Sequence, residues 1–195
     1  MRIVTYNVEW FADLFDDDGA LLDDGEWSGR QDVTRSQQLA ALAHVFRSLD
    51  ADAVMVIEAP DSSRHRDGTV ALRNFAAFAG IRAREVLIGF ENDTQQEIML
   101  LYDPDVMAAR HDPIGEETGK KGSRTAPRFD STYRIDLDID ATEDLVRFSK
   151  PPLEVEIETA DSLFRMIGVH VKSKAPHGAG SRDELMRLAI ANRRK

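Results

Sequence analysis

A chain of 195 residues, 42% of them hydrophobic and 31% charged, is long enough for one domain with a real core or for part of a larger one. It is also too rich in apolar residues to be disordered. No apolar run reaches the roughly 18 residues that a membrane span needs, and the lack of cysteine excludes disulfides, thiolate zinc sites and cysteine nucleophiles together. The net charge of −10 disfavours tight non-specific binding to duplex nucleic acid. Acids crowd Asp13 to Glu26 and Asp136 to Asp144, whereas bases crowd Lys120 to Arg128 and Lys172 to Lys195. An acidic chain of this kind acts on phosphates only where metal ions and a local basic rim neutralise the site. The N-terminus enters a strand at once, so no signal peptide is expected, and the lack of cysteine fits a cytoplasmic location.

Residues 2 to 8 alternate and are rich in Ile, Val and Tyr, which predicts a buried strand ending near Asn7, with Trp10 and Phe11 buried just beyond it. Asp13 to Gly29 holds seven acids and three glycines without periodicity and reads as a loop at the rim of a site. Asp16-Asp-Asp-Gly19 hints at calcium but lacks the EF-hand spacing and its closing Glu. Asp32 or Thr34 caps a helix to about Leu49, with Leu39, Leu42, Ala43, Phe46 and Leu49 on one face. Ala53 to Ile57 is a short continuous apolar run, the pattern of a strand covered on both faces. After the polar loop from Pro60 to Asp67, a second amphipathic helix runs from Val70 to Ala79 and stops at Gly80. This order argues for α/β architecture.

Further strands are predicted at Arg84 to Phe90 and Glu97 to Tyr102. A segment from Asp105 to Arg110 is expected to pair with the latter through an Asp103-Pro104 turn. His111 to Asp130 reads as a mobile loop. Tyr133 to Ile139 and Leu153 to Thr159 read as strands, and Leu163 to Val169 as the return of a hairpin with the second of these. Ala175 to Ser181 is a loop, and Ser181 caps a last helix with Asp183 and Glu184 in its first turn.

Three apolar strands thus each deliver a polar side chain: Asn7, Glu58 and His170. A carboxylate at the mouth of a buried strand is costly unless it is solvated or holds a cation. Glu58, turned out by Ala59-Pro60-Asp61, therefore suits a hard cation such as Mg2+, which keeps most of its waters. Taken alone it is equally an exposed strand-end Glu. Asn7 offers an amide to metal-bound water or to a phosphate oxygen, or simply caps a turn. His170, backed by Lys172 and Lys174, reads as an anion site or as a satisfied core histidine. Glu97 is placed either to orient His170 through a carboxylate–imidazole bond or to lie solvated at a strand start.

Together these stretches carry a resemblance. Arg2-Ile-Val-Thr-Tyr-Asn-Val-Glu-Trp10, Asp50-Ala-Asp-Ala-Val-Met-Val-Ile-Glu58, Gln96-Glu-Ile-Met-Leu-Leu-Tyr102 and Gly168-Val-His-Val-Lys-Ser173 resemble, in order and spacing, the N-terminal half of the endonuclease/exonuclease/phosphatase family of divalent-metal phosphoesterases. The resemblance implies the N-terminal part of a four-layer α/β/β/α sandwich and one incomplete domain. It implies hydrolysis of a phosphodiester or phosphomonoester with Mg2+ or Mn2+. In that reading Glu58 is the principal metal ligand with Asn7 beside it, and His170 is a catalytic histidine paired with Glu97. Lys150 falls near where some members carry an Arg, and Lys172 and Lys174 add positive potential toward phosphate.

The substrate is left open between nucleic acid, a nucleotide and another small phosphoester. The family's later Asp-x-Asn and Asp-His elements have no counterpart after His170. The sequence therefore predicts low activity for these residues alone. The competing expectation is a catalytically inactive fragment, or a metal-binding or interaction module.

Overall fold

The computed structural model describes residues 1–92, 96–125, 128–136, 142–171 and 181–194, with the side chains of 188 and 191–194 left aside. The chain is mixed α/β. Among the described residues nine strands lie in three sheets, with three α-helices, and the chain divides into two compact units. Residues 1–113 and 149–169 form the first unit; 114–148 and 170–195 form the second.

The first unit is built on a sheet of four strands, β1 (Ile3–Asn7), β2 (Ala53–Ala59), β3 (Glu85–Ile88) and β4 (Glu97–Tyr102), in the order β1-β2-β4-β3. β1 runs parallel to β2, and β4 runs antiparallel to both β2 and β3. The unbroken apolar run of β2 has a direct cause, since both its faces are covered. Val54 and Val56, with Met99 and Leu101 of β4, pack among the residues of α1 (Arg35–Leu49) and α2 (Gly68–Ala79). Ala53, Met55 and Ile57, with Ile98 and Leu100, pack instead against Met107, Leu153, Val155 and Ile157 of a second sheet. That sheet comprises β5 (Met107–His111), β8 (Leu153–Thr159) and β9 (Leu163–Gly168), in the order β5-β8-β9. Gly168 lies where a Cβ would stand 2.5 Å from the Met55 sulfur and 2.8 Å from Ile98 Cγ2, so only glycine admits this approach.

Helix α1 starts at a reciprocal cap. Thr34 Oγ1 accepts from the Gln37 N–H, and the Gln37 side chain accepts from the Thr34 N–H. Asp67 caps α2, and Gly80 ends it in the left-handed conformation. The buried face of α1 meets α2 through edge-on aromatic contacts. Phe75, fully buried, lies 5.0 Å from Phe11 and 5.1 Å from Phe46 between ring centroids.

Four sequence expectations change. Among the described residues β1 is an edge strand with one hydrogen-bonded neighbour, and its residues alternate between exposed and half-buried instead of lying buried. Phe11 is buried, but Trp10 is 45% exposed because a left-handed backbone turns it outward. β5 pairs with β8 and not with β4. The Asp103 carbonyl accepts from the Met107 N–H, and this turn carries the chain into the other sheet. In the second unit the predicted strand from Tyr133 shortens to β6 (Thr132–Ile135), and its partner is β7 (Asp144–Arg147), which the local excess of acids concealed. Residues 137–139 of the predicted strand, like the predicted 175–180 loop, lie outside the described residues. The final helix, α3 (Arg182–Arg194), begins as expected, with Ser181 Oγ accepting from the Glu184 N–H. No helix among the described residues is long and apolar enough to cross a membrane.

Phe75 joins both helices to the loop after β1. Phe75→Ala is therefore expected to destabilise the chain by about 3–5 kcal/mol, measured as a lowered urea midpoint with an unchanged slope.

Candidate functional site

Asn7 and Glu58 are brought together by the β1–β2 register. Asn7 is opposite Ile57, and the Val8 N–H donates to the Ile57 carbonyl at 2.9 Å. One residue further along β2 the pairing with β4 slips. Ile57 faces Ile98 and Ala59 faces Glu97, so Glu58 is the extra residue of a bulge. Its φ is +62°, a left-handed conformation that a residue with a Cβ adopts only at a cost. Bulges re-aim side chains, and this one takes Glu58 out of the alternation and leaves it half-buried beside the exposed Asn7. Asn7 Nδ2 donates to Glu58 Oε1 at 3.2 Å.

The second Glu58 oxygen leads to a residue that sequence reasoning missed. Gln96 Nε2 donates to Glu58 Oε2 at 3.1 Å. Gln96 also has left-handed backbone, at φ +78°. Its backbone carbonyl and its Oε1 both accept from Lys150 Nζ at 3.0 Å. A continuous line therefore runs Asn7–Glu58–Gln96–Lys150 across the ends of β1, β2 and β4 and the turn before β8. The only sequence signal for Gln96 was its place one residue before Glu97; an unusual φ at a glutamine leaves no compositional trace. Burial holds the Lys150 ammonium below its ordinary pKa, opposed by the charges of Glu58 and Glu97.

Glu97 is 2% exposed. Its Oε2 accepts from Asn92 Nδ2 at 2.6 Å, while its Oε1 is buried without a hydrogen-bond partner among the described residues. Burial pushes this carboxyl up to about 7, against the opposing hydrogen bonds from Asn92. His170 lies two residues past β9 and belongs to the second unit. Lys172 and Lys174 fall outside the described residues.

Among the described residues no cluster of three or more His, Asp or Glu side chains stands ready to cage a metal. One carboxylate beside one amide side chain nevertheless fits Mg2+ or Mn2+, hard ions that use one or two carboxylates and retain water. Each Glu58 oxygen that accepts an amide hydrogen has further lone-pair capacity. Glu58 and Asn7 are the residues that would hold such an ion.

Two outcomes follow from this geometry. A carboxyl whose pKa is raised in the folded state contributes stability fully present below the ordinary carboxylate range and lost as pH rises through about 7. Wild-type stability is thus expected to fall by up to about 3 kcal/mol between pH 5 and 8, and Glu97→Gln should flatten that dependence in urea titrations. Separately, glycine relieves the left-handed backbone at 58. Glu58→Gly is expected to gain about 1 kcal/mol over Glu58→Ala while losing Mn2+ binding equally, read by unfolding and by electron paramagnetic resonance.

Scans against protein-family models, curated proteins and solved structures find no match to this chain, so the function rests on the residues themselves.

Proposed function

We propose that this chain is a divalent-metal-dependent phosphoester hydrolase related in design to the endonuclease/exonuclease/phosphatase family, with its first unit the N-terminal part of an α/β/β/α sandwich. The observation that carries this reading is the Asn7–Glu58–Gln96–Lys150 line, which gathers a carboxylate, two amides and an ammonium at strand ends. Two of its members stand in left-handed backbone, the kind of local strain that collects at functional sites. The two-sided burial of β2 and β4 supports the layered architecture.

Glu58 and Asn7 would hold a Mg2+ or Mn2+ ion, which when bound would polarise the phosphoryl oxygens. The Asn7 amide orients water or a phosphate oxygen. Gln96 fixes the Glu58 carboxylate. The ammonium of Lys150 lends positive potential to the phosphate, as a point charge without the two-pronged grip of an arginine. In the reaction water attacks phosphorus, the ester P–O bond breaks, and the leaving alcohol takes a proton.

A second reading, an inactive interaction module, draws on β9. Among the described residues it is an edge strand, with Leu163 and Ile167 64% and 54% exposed, which suits pairing with another chain. One assay separates the two. With bis-(p-nitrophenyl) phosphate and Mn2+ or Mg2+, slow turnover is expected that EDTA abolishes and that Glu58→Ala lowers by about a hundredfold or more, on the scale of losing one electrostatic contact to the transition state. A folded chain with no metal-dependent turnover would favour the module.

A further inference from the structure

The end of the sheet where β2 begins, away from Asn7 and Glu58, carries a different chemistry. The C-termini of α1 and α2 converge there. Between them lies a cleft of about 220 Å3, lined entirely by residues of the first unit. Its floor is apolar. Phe46, Ala51, Val54 and Ala83 are each 6% exposed or less, and the half-buried Ile81 adjoins them. Gly80 ends α2 in left-handed backbone at φ +63°, and a Cβ there would meet nothing within 4 Å, so this side of the cleft stays open.

The rim is built from charge. Helix C-termini present carbonyls without helical partners, which favour cations, and three arginines answer them. Arg2 Nη1 donates to the Leu49 carbonyl at 2.7 Å, Arg47 Nη1 donates to the Ala79 carbonyl at 3.2 Å, and Arg82 Nη2 donates to the Asp50 carbonyl. Two of the three are also paired with acids. Arg82 bridges to Asp50 and to buried Asp52, and Arg2 reaches Asp50 at 3.6 Å. Arg47 has no ion pair among the described residues and makes the single carbonyl bond. Most of its five guanidinium N–H donors are therefore uncommitted. Three guanidiniums thus meet two carboxylates at this corner of a chain whose net charge is −10.

An uncommitted guanidinium beside an apolar floor has a definite complement. Its planar fork matches a carboxylate through two parallel hydrogen bonds. One surplus positive charge suits a monoanion better than a phosphate monoester, which carries nearly two negative charges at neutral pH. A cavity of roughly 150 Å3 accepts a benzene ring, so 220 Å3 has room for one ring and its carboxylate.

We infer that this cleft is a binding site for a small monocarboxylate with a ring-sized apolar body, its carboxylate on Arg47 and its ring on the floor between the two helix ends. The cleft shares no residue with the Asn7–Glu58–Gln96–Lys150 line, so its ligand does not depend on the phosphoester reading.

Benzoate is the probe, titrated by isothermal calorimetry against the 195-residue chain in EDTA, so that no metal ion recruits it to Glu58. Saturable one-to-one binding is expected, about tenfold tighter than for the neutral benzamide, the scale of one charge-assisted pair. Arg47→Gln should bring benzoate to the level of benzamide and leave benzamide unchanged. Arg47→Lys, which keeps the charge and loses the fork, should bind benzoate about threefold more weakly than the wild type. Glu58→Ala should bind it as the wild type does. No saturable binding, equal affinity for benzamide, or benzoate affinity indifferent to Arg47→Gln each overturns the site. The comparison of the two ligands on the wild type decides even where a variant fails to fold. Loss of benzoate binding in folded Glu58→Ala overturns the cleft in favour of the strand-end site. Arg47-dependent binding of phenyl phosphate tighter than that of benzoate overturns the carboxylate in favour of a phosphate.

Discussion

The first unit depends on the two-sided burial of β2. Every residue of that strand except Glu58 is buried, and successive side chains feed two separate apolar clusters. A strand covered on both faces has no solvated side on which to carry a charge, so its functional residue has to stand where the cover ends. The bulge at Glu58 does this. It breaks the pairing with β4 by one residue, and the extra residue leaves the alternation that would otherwise have sent it into a core.

The remaining site residues follow from that displacement. Because β1 is parallel to β2, their C-terminal ends coincide, and Asn7 comes to lie beside Glu58. Because β4 is antiparallel to β2, its first residues reach the same end, and Gln96 and Glu97 arrive there. Gln96 turns toward the carboxylate, while Glu97 stays inside. Two acids one strand apart thus meet opposite environments. Glu58 is partly solvated and bonded to two amides, whereas Glu97 is buried with one oxygen unmatched among the described residues.

Much of this was legible in the sequence. The 3.6-residue spacing of Leu39, Leu42, Ala43 and Phe46, the apolar run of β2 and the Gly80 stop each have a local cause, and each reappears in the fold. Asn7 and Glu58 were readable as strand-end residues, and they do adjoin. What stayed hidden depends on tertiary context. Gln96 was invisible because its role comes from a positive φ and from Lys150, 54 residues away. Trp10 was expected inside because hydrophobicity says nothing about a left-handed backbone. β5 was assigned to the wrong partner because a short strand after a turn pairs as readily with a new sheet as with its predecessor. β7 was missed because it is four residues long and starts with an acid at the end of an acid-rich stretch.

The position of β1 at the sheet edge carries a consequence for motion. Among the described residues it is held by β2 alone along one side, while its far end is tied by Arg2 to the Leu49 carbonyl and by the Arg2 N–H to buried Asp52. An edge strand with half its side chains in solvent belongs to the low-stability end of a protein's local opening equilibria. Asn7 therefore sits on a terminal strand of this sheet, and Glu58 on one of its two central strands. Whatever bridges the two side chains ties a terminal strand to a central one, so occupancy of the site and amide-hydrogen protection along Ile3–Asn7 are thermodynamically linked.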